Sequence, residues 1–162
     1  MKLSTRTRYG LRAMVELARR SGEGPVSMEA IARSQALSRK YLHALLSTLR
    51  RAGLVKSLRG ASGGFVTSRP PAELTLGEVV RALEGPLDLV RCVTDGRACS
   101  RSARCVTRGL WSELSRAMED RLDGITLEDL AAEGVPPGAG EPRQKRRTRP
   151  ARKGPVKKRS RS

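Results

Sequence analysis

Leu42, Leu45, Leu46 and Leu49 recur at helical spacing between Ser38 and Gly53. This short, bounded stripe constrains the fold more than any other feature of the chain. At 3.6 residues per turn all four leucines fall on one face. Ser38 suits an N-cap, because its hydroxyl can accept from a free N–H of the first turn. Gly53 suits a stop, because glycine tolerates the left-handed backbone that ends helices. The spacing therefore predicts a helix from about Arg39 to Ala52. Lys40, Ala44, Ser47 and Arg51 lie on its opposite face, with His43 at the margin. Just upstream, Ser27 caps a short helix carrying Met28, Ala30, Ile31 and Ala32, and Gln35 to Leu37 form a tight turn. Two short helices, a turn and a basic outer face make a helix-turn-helix pattern. A small helical hairpin with a solvated basic face would read the same way.

The flanking segments narrow the choice. Residues 4 to 20 predict a first helix, with Leu3, Gly10, Leu11, Met14, Leu17 and Ala18 on one face and Ser4 or Thr5 as its cap. After the leucine helix come two short candidate strands, Leu54 to Ser57 and Phe65 to Thr67. Between them lie Arg59, Gly60, Ala61, Ser62, Gly63 and Gly64. This predicts a hairpin with a basic, glycine-rich tip. Such a wing can lay Arg59 in a minor groove, and its glycines let backbone N–H groups approach phosphates. An ordinary hairpin also uses glycine in its turn, but helix-turn-helix and wing in this order favour DNA binding.

Charge agrees. The 162 residues include 33 Lys and Arg against 16 Asp and Glu, a net charge of +17. Residues 141–162 hold 11 basic residues and one acid; the rest still carry 22 basic and 15 acidic residues. A basic body suggests a polyanionic partner. Tyr9, Tyr41, Phe65 and Trp111 are the only aromatics, too few for a base-stacking platform. His43 is the only histidine, which excludes a catalytic triad and multi-histidine metal sites. No apolar run approaches the roughly 18 residues of a membrane span. Arg6, Arg8 and Arg12 interrupt the N-terminus, unlike a signal peptide. The expectation is a cytoplasmic protein with no membrane partner and no small-molecule substrate.

Further along, Thr75 caps a helix from Leu76 to Leu83 that stops at Gly85 and Pro86. A long helix from about Val106 to Leu122 carries Val106, Leu110, Trp111, Leu114, Ala117, Met118 and Leu122. So broad a stripe, so late in the chain, suits dimerisation, although part of it can serve the core. Thr126 and Asp129 stand close to a capping box for a last short helix. Residues 136–162 lack apolar periodicity and are expected to be a disordered basic tail. The expected organisation is a DNA-binding unit over 1–86, a cysteine loop over 87–105, a dimer helix and short helix over 106–135, and the tail. The fold class is mostly α: a winged helix-turn-helix with a two-stranded wing and a long C-terminal dimerisation helix.

Cys92, Cys99 and Cys105 are the only cysteines, and all fall within one 14-residue window. An odd number argues against a disulfide framework. The spacers hold Gly96, Ser100 and Ser102 and little that is apolar, which reads as a loop. Arg97, Arg101 and Arg104 face one Asp95, and positive surroundings favour thiolates. Three thiolates there suit an iron–sulfur cluster. Zinc would want a fourth ligand, and free surface thiols are the plainer reading.

Together these parts resemble the IscR/NsrR-type family of winged-helix transcriptional regulators, over about residues 1–135. The carrying segments are MKLSTRTRYGLRAM at the start, LSRKYLHALLSTLRRAGLV from Leu37, SLRGASGGF from Ser57, LTLGEVVRALEG from Leu74, and the three cysteines leading into RGLW. The resemblance implies a homodimer on palindromic double-stranded promoter DNA. It also implies an iron–sulfur cluster, 2Fe–2S in preference to 4Fe–4S, that senses iron–sulfur, redox or nitric oxide status. Cys92, Cys99 and Cys105 match the cysteine ligands. Ser38, Arg39, Lys40, Tyr41, His43, Ala44 and Ser47 are the expected DNA contacts of the helix, and Arg59, Gly60, Ser62 and Gly63 those of the wing. Three positions depart from the family pattern. Arg108 stands where the regulator of cluster biogenesis has a histidine, and Arg8 lies where the nitric-oxide branch has an aspartate. His43 replaces a glutamate that would accept from cytosine. Rival readings are a metal-free thiol-redox regulator and a non-specific nucleic-acid-binding protein driven by the tail. An enzyme is the weakest reading, since paired carboxylates, a histidine partner and a phosphate-binding loop are all lacking.

Overall fold

The structure is a computed structural model that describes residues 3–60 and 62–132. The expected tail over 136–162 lies outside the described residues, as does Ala61 of the wing.

Among the described residues, seven α-helices and one hairpin follow in the order α1 (Thr5–Arg19), α2 (Met28–Gln35), α3 (Arg39–Arg51), β1 (Val55–Leu58), β2 (Gly64–Thr67), α4 (Leu76–Glu84), α5 (Arg91–Thr94), α6 (Val106–Asp123) and α7 (Leu127–Ala131). The architecture is mostly helical, with one two-stranded antiparallel sheet. Side-chain hydroxyls cap the first three helices: Ser4 accepts from the Thr7 N–H, Ser27 from Ala30 and Ser38 from Tyr41. Each such cap contributes about 1 kcal/mol. Ala36 closes α2 in the left-handed conformation at φ 52°, and this turn redirects the chain into α3.

The apolar stripes meet in one core. Ala13, Met14 and Leu17 of α1, the four leucines of α3, and Val79 and Leu83 of α4 are all buried there. Burial of each such leucine contributes roughly 1.5–3 kcal/mol. Leu3 lies ahead of α1 and is exposed, so the buried part of the predicted stripe begins at Gly10, about two turns later. Ile125 and Leu127 complete the same core. They arrive through backbone bonds from the Leu76 N–H to the Ile125 carbonyl and from the Leu127 N–H to the Leu74 carbonyl, both 2.8 Å. The end of the described chain thus closes the helix-turn-helix core.

The long helix α6 behaves differently. Only Ser115 of α6 is fully buried among the described residues. Trp111, Met118 and Leu122 are half-buried. Val106, Leu110 and Leu114 are 94%, 51% and 44% exposed. One edge of the predicted stripe therefore packs inward, and the other faces out.

The cysteine segment is not the plain loop its composition suggests. It folds as α5 followed by two 3-10 turns, Gly96–Ala98 and Ser102–Arg104. These turns close through local bonds, such as the Ala98 N–H to the Asp95 carbonyl at 2.9 Å. Such bonds need no apolar side chains, so glycine and serine there do not prevent them.

Candidate nucleic-acid interface and cysteine segment

α3 offers an outer face free of large apolar groups. Ser38, Arg39, Lys40, His43 and Ala44 are exposed on it, and Tyr41 and Ser47 are half-buried. The fold then separates these residues by what they touch. The Arg39 guanidinium lies 2.5 Å from the Glu29 carboxylate of α2, so it spans the two helices of the motif. The Tyr41 ring meets the Tyr9 ring edge-on, with centroids 6.1 Å apart. Arg12 sits over the Tyr9 ring at 5.4 Å and donates from Nε to Gln35 at 2.9 Å. A helix outside the motif thus holds both the turn and the first turn of α3. Lys40, His43, Ala44 and Ser38 remain on the outside.

Arg6, which the sequence reading did not tie to this face, and Arg51, which it placed there without a role, extend it. Arg6 of α1 donates to the Thr48 hydroxyl at 2.9 Å, and Arg51 donates to the same oxygen at 3.3 Å. With His43, Ala44 and Ser47 they border a shallow depression of about 530 Å3. Arg6 was visible only as one of three arginines at the N-terminus; nothing in its spacing tied it to α3.

The wing pairs Val55 with Thr67 through Leu58 with Gly64. Arg59, Gly60 and Ser62 are exposed at its tip, and Gly63 is half-buried. Gly60 has φ +122°, a conformation that L side chains rarely adopt. A Cβ on Gly64 would lie 2.4 Å from the Val26 carbonyl oxygen. That close approach allows Val26 and Phe65 to exchange backbone bonds of 3.0 and 2.9 Å, which fasten the wing to the core.

In the cysteine segment, Cys92 belongs to α5, Cys99 follows the first 3-10 turn, and Cys105 is the N-cap residue of α6. Cys99 is exposed, and the other two are half-buried. The Cys105 thiol lies 3.2 Å from the Thr107 hydroxyl. That bond first, then the N–H groups of Thr107 and Arg108 and the Arg108 charge, holds its pKa below the usual thiol value. Arg108 takes up a structural contact: its Nε donates to the Cys92 carbonyl at 3.0 Å, tying α5 to the start of α6. In kind, the donor set fits an iron–sulfur cluster, with three thiols in basic surroundings. Among the described residues no three His, Cys, Asp or Glu side chains are gathered as a metal site.

The profile of the Rrf2 family, described as an iron-dependent transcriptional regulator, matches residues 3–133. The chain belongs to the Rrf2 family. It is 46% identical over 132 residues to the HTH-type transcriptional regulator CymR of Bacillus subtilis, covering 82% of this chain and 91% of that protein. It is 39% identical over 130 residues to the HTH-type transcriptional regulator IscR of Aliivibrio salmonicida, covering 80% of this chain and 77% of that protein. Two solved structures share the fold. The B. subtilis CymR structure, that of a global cysteine regulator, superposes with a TM-score of 0.69 at 44% identity, over 83% of this chain and 99% of that one. IscR of T. potens superposes with a TM-score of 0.66 at 39% identity, over 83% and 93%. The winged-helix expectation and the family resemblance both hold. This Rrf2 chain is therefore a transcriptional regulator by family. Among its described residues no helix is long and apolar enough to cross a membrane.

Proposed function

We propose that this Rrf2 protein acts as a homodimer that reads palindromic double-stranded DNA through α3 and the wing. We further propose that Cys92, Cys99 and Cys105 hold an iron–sulfur cluster that modulates this binding. The observation that carries the DNA reading is the outer face of α3, where the four leucines are buried and Ser38, Lys40, His43 and Ala44 are left outward. Lys40 suits a base edge or a phosphate, and Arg59 on the wing suits the narrow groove or its backbone. Gly60, Ser62 and Gly63 bring backbone close to phosphate, while Ser47, Tyr41 and Arg39 act at the margin. The outward edge of α6 supports the dimer, because Val106, Leu110 and Leu114 would be covered by a second copy. A two-fold dimer reads two inverted half-sites.

When bound, a cluster supplies a group that responds to redox state or nitric oxide. This chain's own residues would hold it and relay its presence. Cys105 starts α6, and Arg108 links that start to Cys92. Ordering the segment therefore bears directly on the helix with the outward apolar edge. Iron and acid-labile sulfide in protein purified without oxygen test this reading. Stoichiometric cluster in the wild type, lost on Cys→Ala at any of the three positions while the dimer persists, is the expected result. Absence of iron after anaerobic reconstitution would remove the cluster. A second reading then stands, a metal-free thiol regulator, favoured by three thiols that the fold does not gather. Its signature is reversible thiol oxidation that changes DNA affinity.

A further inference from the structure

Behind the wing lies a cleft of about 510 Å3, between the end of α1 and the outgoing half of β2. Its floor includes Leu17, Val26 and Phe65, the first two fully buried in the core. Its charged lining consists of Arg20 and Arg69, and no carboxylate lines it among the described residues. Each guanidinium has a carboxylate partner outside the cleft: Arg20 lies 2.9 Å from Glu16, and Arg69 lies 2.7 Å from Glu78. Their side chains are still 42% and 43% exposed. A guanidinium carries five N–H donors, so each keeps donors for an anion after its ion pair is made. Ser68, also in the lining, has a buried hydroxyl oxygen without a hydrogen-bond partner, the one such side-chain atom among the described residues. That oxygen has almost no accessible surface, so it does not itself reach a group bound in the cleft.

We infer that this cleft binds a small organic monocarboxylate with an apolar body, its carboxylate held by Arg20 and Arg69 and its body resting on Leu17, Val26 and Phe65. The volume falls within the roughly 300–1,000 Å3 of ligand sites, and an apolar floor with a few placed polar groups is their usual composition. Guanidinium donors match the planar carboxylate. A phosphate would use the arginines but gain nothing from the floor. The ligand would also bear on DNA binding. Val26 and Phe65 are joined by two backbone bonds, and Phe65 pairs with Ser57 across the hairpin that carries Arg59. This route runs through the wing and uses neither the cysteines nor α6, so it stands or falls separately from the cluster.

Calorimetric titration of the full-length protein with acetate, butyrate, 4-methylpentanoate and inorganic phosphate tests the site. Each buried methylene should strengthen binding by up to about fourfold. The expected result is saturable binding of 4-methylpentanoate at least about tenfold tighter than acetate or phosphate. Arg20→Gln and Arg69→Gln should each weaken it by about tenfold, with an unchanged circular dichroism spectrum. Saturating 4-methylpentanoate should change the Kd for duplex DNA by about fivefold or more. Equal weak binding of all four anions would reduce the site to surface ion pairing and overturn the inference. Absence of saturable binding, binding untouched by both substitutions, or an unchanged Kd for DNA would overturn it too.

Discussion

Arg59 and Arg39 carry the same charge, and the fold leaves them different work. Arg39 is paired with Glu29 across the turn of the motif, whereas Arg59 stands exposed at the tip of the wing. Arg59→Ala should therefore cost about 1–3 kcal/mol of specific affinity, and Arg39→Ala distinctly less. Fluorescence anisotropy with one labelled duplex compares the two; equal losses would remove the distinction. The outward place of Arg59 was legible in the sequence from the glycine-rich hairpin tip that carries it, whereas Arg39 entered only through the family resemblance. The partner of Arg39 was not legible, since Glu29 lies on another helix and no spacing rule links them. Tyr41 is similar: its place near the start of α3 was readable, and its contact with Tyr9 belongs to tertiary packing.

Among the elements, α4 has the most complete local signal. Thr75 and Glu78 form a reciprocal capping box, and Arg69 adds an ion pair to the same carboxylate. Partial burial pushes the Glu78 carboxyl up, but the Thr75 N–H and Arg69 outweigh it and hold the pKa below the ordinary carboxylate range. A carboxyl lowered in the folded state stabilises above its unfolded pKa, and that contribution is lost as pH falls through its folded pKa. Glu78→Gln should lower Tm at neutral pH, and the gap to wild type should shrink below about pH 4. A gap that stays constant from pH 7 to pH 3 would contradict this origin. α6 carries a different expectation. Leu110→Asp combined with Leu114→Asp places charge on its outward edge, so sedimentation should show monomers with unchanged helix content. A persisting dimer would put the interface elsewhere. Periodicity exposed α1, α3 and α6 in the sequence, because each is long enough to repeat, while the Thr75 cap and the stop at Gly85 and Pro86 bounded α4. The turns around the cysteines are three or four residues long, too short for any period, and were readable only as a loop.

At the scale of the whole molecule, one connection lay beyond local reading. Thr75 and Thr126 form an isolated antiparallel bridge, and through it the segment after α6 returns to the core beside α1 and α4. Such pairing joins residues far apart in the chain, so neither capping motif announces it. Beyond the described residues, positions 141–162 contribute 11 basic residues and one acid. Their deletion should weaken binding to every duplex alike and flatten the salt dependence, as expected for counterion release; a changed sequence preference would contradict a purely electrostatic role. The central claim concerns how two copies of α3 and the wing read DNA together. Selection of bound duplexes from a random pool, using the full-length protein purified without oxygen, tests it most directly. The account predicts enrichment of an inverted repeat whose half-sites are centred one helical turn, about 10 base pairs, or a multiple of it apart. Enrichment of a single asymmetric site, or of no sequence at all, would contradict it.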